Sequence, residues 1–300
     1  MGTLTVYTST LDAALTKQTT IATENLNNGL NYLGNSQFLV ANKSFYLAYL
    51  NFTSAQKLAD TLEFYTRINI AYQAYLLVNP DLVSGLAMRR TLVQSGVYIA
   101  LSGIWVTTAL FSYRNAITRV SHNDKSFTSA LEYLNISYKG ALLSENYLNK
   151  SKNYLVSPGS YTLSTDLATQ LNITQRVNSI MMGLSYDLII ISNLTYYTVS
   201  FYHQLYSGMT ALESGDFQQA LTLATSAKLG ALDLLSDLNA TNLYYLKNHG
   251  IALAAALSYL ILAAKSVEDG AKIQQIDPFV TLAMNNATYV DYELNLLVGE

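Results

Sequence analysis

LESGDFQQALTLATSAKLGALDLL, residues 212–235, joins a polar turn on Gly215 and Asp216 to a helix punctuated by alanine. Glycine and aspartate are turn residues, and residues 217–235 carry small side chains at helical spacing. The stretch reads as one half of a helical hairpin. The other half lies upstream, where Ile190, Leu194, Tyr197, Phe201, Leu205, Gly208 and Leu212 recur at intervals of three and four. That stripe predicts one helix of more than twenty residues. Almost nothing in the chain alternates with period two, so the fold class is all-α.

Working outward, helices are expected over 10–41, 44–61, 63–78, 80–120, 125–150, 165–183, 185–213, 216–238, 241–265 and 278–297, about ten in antiparallel hairpins. Asn79-Pro80 and Asp277-Pro278 each set a capping side chain before a proline, which suits the first helical position because its missing N–H has no partner there anyway. Ser157 to Asp166, SPGSYTLSTD, combines proline, glycine and hydroxyl residues and ends in a capping aspartate. It is read as a linker, 157–166, between an N-terminal helical half, 1–156, and a C-terminal half, 167–300.

The pattern around Phe217 occurs twice more. Phe45, Ala48 and Ala55, then Phe127, Ala130 and Ser137, repeat the spacing of Phe217, Ala220 and Ala227, each after a polar turn. Alanine at those positions lets the second helix of a hairpin approach the first. Residues 204–235 resemble the tetratricopeptide repeat (TPR), whose second helix starts Gly-Asp-aromatic and carries alanine three and ten residues on. Gly208 also falls where that family has glycine. The other two copies lack the Gly-Asp pair, Gln204 replaces an aromatic, and the copies are not spaced at about 34 residues. The resemblance implies a TPR-like hairpin at 204–238 within an irregular helical repeat or bundle.

Half of the 300 residues are apolar, enough for a sizeable core, yet only 12% are charged against about 25% in an average domain. There are 24 tyrosines and no cysteine, which leaves no disulfide or thiolate chemistry. Eight Asn-x-Ser/Thr triplets, at Asn42, Asn51, Asn135, Asn149, Asn172, Asn193, Asn239 and Asn286, exceed the roughly four that composition alone would supply, and are candidate glycan acceptors. The start, MGTLTVYTST, lacks the basic and apolar segments of a signal peptide. It is read either as cytosolic or as a start after signal removal. Low charge, missing cysteine, abundant Tyr, Asn, Ser and Thr, and many sequons together resemble the exported and surface proteins of thermoacidophilic archaea of the Sulfolobus kind. In strong acid the carboxylates would be protonated, and Lys, Arg and His would leave about +20, so an acid-stable chain would rely little on ion pairs.

Thr91 to Tyr113 is uncharged and long enough to cross a bilayer, but its apolar positions Val93, Val97, Ala100, Ile104, Thr108 and Phe111 form a stripe, so a buried helix is expected. Gly250 to Ala264 is read as an alanine-rich core helix too short to span. His122, His203 and His249 lie apart from one another and from helix-face carboxylates, so no zinc signature arises. No phosphate loop, nucleophile elbow or dinucleotide fingerprint occurs. Glu268-Asp269 and Asp291 with Glu293 read as solvated helix-end charges. No enzyme, metal or cofactor is therefore expected. Nucleic acid is not expected either, because net charge is −3 and the basic cluster is Arg89-Arg90 alone.

Tyr196, Tyr197, Tyr202, Tyr206, Tyr244 and Tyr245 offer flat amphipathic surface of the kind interfaces use. The expected function is a non-enzymatic extracellular or cell-surface scaffold. Its partner would be another protein or surface-layer component, with a glycan as a further candidate, and membrane association would come through a region outside this chain. Two alternatives stand beside it: a binder of an apolar or sugar ligand, walled by 196–206 and 251–264, and a cytosolic helical adaptor.

Overall fold

The computed structural model describes residues 2–68, 73, 80–121, 126–155, 165–239, 244–269, 271 and 273–296. Among them every element is an α-helix: α1 (Gly2–Gly34), α2 (Phe38–Ile68), α3 (Pro80–Ser121), α4 (Phe127–Lys152), α5 (Thr165–Glu213), α6 (Phe217–Asn239), α7 (Tyr244–Glu268) and α8 (Ile273–Leu296). The all-α expectation holds, with eight described helices in place of about ten.

The cause of the helix lengths is a 3.5-residue burial repeat. On α5, Leu171, Thr174, Asn178, Met181, Ser185, Leu188, Ser192, Thr195, Val199 and Tyr202 are all buried, at strictly alternating intervals of three and four. On α4, Phe127, Leu134, Ala141 and Leu148 form one buried line and Ala130, Ser137, Ser144 and Ser151 the other. On α2, Ala41, Ala48, Ala55 and Leu62 alternate with Phe45, Phe52, Ala59 and Thr66. This is coiled-coil spacing, which keeps one seam against its neighbours over many turns.

Most hydroxyls of the seam are satisfied inside it, while Ser151 Oγ is buried without a hydrogen-bond partner among the described residues. Thr174 and Thr198 donate to the carbonyls of Gln170 and Leu194 at 2.7 and 3.0 Å. Ser144 Oγ lies 2.6 Å from Ser102 Oγ and 2.7 Å from Ser185 Oγ, a chain of three hydroxyls from three helices. A buried hydroxyl with a partner costs little, whereas an orphan costs 1–3 kcal/mol or so.

The chain packs as two units, each drawn from separate stretches: Met1–Leu110 with Lys139–Leu188, and Phe111–Tyr138 with Ile189–Glu300. Neither unit is a contiguous half of the sequence. Of the linker expected at 157–166, residues 157–164 lie outside the described residues, and Thr165 and Asp166 already form the first turn of α5.

In the first unit α1 and α2 form a hairpin. Ser36, at φ 57°, takes the left-handed position, and Ser36 N and Gln37 N donate to Leu33 O and Tyr32 O at 3.0 and 2.9 Å, which closes the helix end. Aromatic side chains then enter glycine notches. Phe45 lies between Gly29 of α1 and Gly103 of α3, and Phe52 lies on Gly96. In the second unit α6 packs on α7 and α7 on α8, around a core that includes Ala227, Ala231, Leu253, Leu257 and Val290.

Several boundaries differ from expectation. No break occurs at 42–43: Ser44 and Phe45 are buried in α2, and the turn falls at 35–37. The Phe45 copy of the repeated pattern therefore follows no turn, while Phe127 and Phe217 do open their helices. The expected divisions at 62 and 184 are absent, because the burial repeat runs through both. Of the helix expected to 78, residues 69–72 and 74–79 lie outside the described residues. Pro80 opens α3 as expected, Asn79 being outside, but α8 begins at Ile273 and carries Pro278 internally. Asp277 and Pro278 are exposed there, so the carbonyl that the ring leaves unbonded stands on the solvent side.

Gly85–Val120, Thr165–Glu213 and Gly250–Val267 are long and apolar enough to cross a membrane, with 56%, 39% and 50% of their most apolar windows buried inside the protein. The third extends three residues beyond the Gly250–Ala264 segment, and the second joins two helices expected to be separate. On α3 the expected stripe is only half buried: Phe111 is 43% exposed, whereas Leu92, Ser95, Ile99, Ser102, Val106 and Ala109 form the buried line. The expected stripe left out Ser95 and Ser102, which lie on the buried line.

Candidate functional site

Tyr196 and Tyr197 project from α5 with 37% and 46% of their surface exposed, because the seam on either side of them is taken by Ser192, Thr195 and Val199. Their rings meet edge to face at 5.9 Å, and Tyr197 stacks on Phe201 at 6.3 Å. Phe201 is seated by a notch on α6: a Cβ at Gly230 would collide with its ring. The result is an aromatic surface with a fixed base, in which little side-chain entropy remains to be lost on binding.

Tyr202 does not belong to that surface. It is fully buried, its hydroxyl donating to Ala287 O at 3.1 Å, because it occupies a seam position. Tyr206 is partly buried against Phe127 and Tyr202. The side chains of Tyr244 and Tyr245 lie outside the described residues, as do His122 and the side chain of His249. His203 stacks on Phe127 at 4.9 Å, so its ring is a packing element.

The sequons have a structural cause. Ser44, Ser137, Ser151, Thr174 and Thr195, the hydroxyl members of five of them, are buried, and a residue two positions before a seam position faces outward. Asn135, Asn149, Asn172 and Asn193 are accordingly exposed, while Asn42, Asn51 and Asn286 are half-buried. Asn51 and Asn286 donate to the carbonyls four residues back at 2.8 Å, and Asn42 to Ile104 O at 3.4 Å. The side chain of Asn239 lies outside the described residues. None of the described acceptors sits in a loop.

Arg89 and Arg90 are paired. Arg89 binds Asp12 of α1 at 2.5 Å, and Arg90 binds Glu63 and Asp60 of α2, with Arg67 on the same Glu63. These are the ion pairs among the described residues. No Asp, Glu, Lys or Arg is buried there, and no three His, Asp or Glu converge as metal ligands. Asp269 is exposed, and the side chains of Glu268, Asp291 and Glu293 lie outside the described residues.

One surface was missed in the sequence. On α2, Leu39 is 76% exposed and is joined by Val40, Tyr46, Leu47 and Leu50, a face opposite the Ala/Phe seam that only the burial repeat could reveal. The walls of the expected ligand site, 196–206 and 251–264, meet in one core through Val199, Tyr202, Leu205, Leu253, Leu257 and Leu260. The chain matches no family model, no curated protein and no solved structure.

Proposed function

We propose that this protein is a non-enzymatic helical scaffold of the cell surface or extracellular space, and that it binds another protein through the Tyr196–Tyr197 surface. The observation that carries this reading is the aromatic pair exposed on a rigid base, Phe201 in its glycine notch. Interfaces draw their energy from such anchors. The four exposed sequon asparagines support an exported location, and a glycan is the second candidate partner. The neutral hydroxyl seam supports an acid habitat, since no buried ion pair is there to be lost. The TPR-like element is the hairpin of α5 and α6, with Gly215 and Asp216 at its turn. α5 alone, at 49 residues, exceeds the whole repeat of about 34, so the likeness is to the hairpin and not to a tandem array.

Protease treatment of intact source cells tests the location. The reading expects loss of the protein from intact cells, and a mass above 33.1 kDa by whole sugar increments. Protection in intact cells together with an unmodified mass would replace it with a cytosolic adaptor. A photo-crosslinking residue at position 197 tests the surface: it should yield one discrete adduct that the same residue at exposed Tyr186 does not.

A further inference from the structure

Beside the turn between α5 and α6 lies an apolar cavity of about 340 Å³, with walls that include Met209, Leu212, Phe217, Leu260, Ile276 and Val280. Its volume falls within the range of small-molecule sites. It arises where the packing changes scale. Ala211, Ala220 and Ala264 let three helices close on one another, and Gly208 admits Leu260. Just beyond, the large side chains of α5, α6, α7 and α8 surround a space that none of them fills. Apolar walls without neighbours forgo dispersion contacts, so an apolar body entering gains them.

Among the described residues the polar part of the wall has one sign. Glu213, the last residue of α5, and Asp277 of α8 line the cavity, and no described basic residue does. Both are exposed, and neither forms an ion pair among the described residues. An anionic headgroup would be repelled there. An uncharged sugar would bury hydroxyls against hydrocarbon without partners.

We infer that in neutral solution this cavity binds an amphiphilic amine, its apolar chain or ring filling the space and its ammonium group meeting Glu213 and Asp277. The site is separate from the Tyr196–Tyr197 surface and stands whether or not that surface binds a protein.

Calorimetric titration of the full chain with octylammonium, octanol and octanoate tests it. Octylammonium should bind at one site at least about tenfold more tightly than octanol, the worth of a charge-assisted contact, and octanoate more weakly than both. In the double variant Glu213→Gln/Asp277→Asn, whose changes are exposed and leave the core intact, octylammonium should fall to the affinity of octanol. Val280→Trp, or Met209→Trp should the first lose helical circular dichroism, should abolish binding of all three. Equal affinities in the unaltered protein, no binding of octylammonium, or binding unchanged in the charge variant or in a folded filled variant would overturn the inference.

Discussion

Replacing Gly103 by alanine should destabilise the first unit by about 2 kcal/mol, although alanine is the better helix former. In a helix interior the exchange by itself gains about 1 kcal/mol. Against this stands the Phe45 ring, fully buried on α2. A Cβ at position 103 would lie inside the contact limit of that ring, and the ring has no retreat: a Cβ at Gly29, on its other side, would already be 2.7 Å away. Overpacking a filled core costs about 1–3 kcal/mol. A ring held from both sides belongs at the upper end, and subtracting the propensity gain leaves about 2 kcal/mol. Gly183 is the internal standard. It is exposed in the interior of α5 with nothing within 4 Å of where a Cβ would stand, so Gly183→Ala should gain about 1 kcal/mol. Urea unfolding monitored by circular dichroism gives both signs from midpoints at a common slope. A Gly103→Ala midpoint raised as far as that of Gly183→Ala would mean that Phe45 does not occupy this notch, and the α1–α2–α3 packing would be refuted. The pair Gly103→Ala/Phe45→Leu should recover part of the loss, because leucine lacks the ring edge.

Ser36→Gly should raise stability by about 0.5–1 kcal/mol, read as a higher urea midpoint, because serine is held at φ 57° where L-residues are strained by about 1–2 kcal/mol and glycine returns part of that as chain entropy. Ser144→Ala should cost about 1–2 kcal/mol, since it removes the partner of Ser102 and one bond to Ser185; Ser144→Thr, which keeps the hydroxyl, should retain the bonds but crowd the seam, and an alanine variant as stable as the parent would dismiss the hydroxyl chain. Far-UV circular dichroism at pH 2 should keep most of its neutral-pH amplitude, because no charged side chain is buried among the described residues; collapse of the helical signal in acid would remove the physical case for an acid habitat.

The hairpin at 212–235 was legible because its determinants are local. Gly215 takes the left-handed position at φ 84°, Gly215 N and Asp216 N donate to Leu212 O and Ala211 O at 3.1 and 2.8 Å, and Asp216 Oδ1 accepts from Gln219 N at 3.0 Å. The same local chemistry placed the start of α3 at Pro80. It misled at Pro278, where the helix had already begun five residues earlier. The tyrosine surface was legible in part. Tyr196 and Tyr197 face outward, but Tyr202, one heptad after Thr195, is core. Sorting residues into apolar and polar hid the seam, because Ser102, Ser144, Ser185 and Ser192 count as surface in that scheme. The hydroxyl positions of five sequons follow the burial repeat, a cause that neither composition nor location supplies.

The sequence alone determined the helical class, the hairpin turn at Gly215-Asp216, the alanines at 220 and 227 through which helices approach, and the lack of charge. All of these rest on backbone propensity, capping and composition, which act over a few residues. Only the tertiary structure decided that α2 and α5 run unbroken, that serines line the seam, that Phe45 enters paired glycine notches, and that a cavity opens between Glu213 and Asp277. Each depends on what a side chain meets from another helix. A serine enters the core at little cost when a second hydroxyl or a carbonyl stands within hydrogen-bonding reach, and a glycine is a notch only when a side chain arrives to fill it.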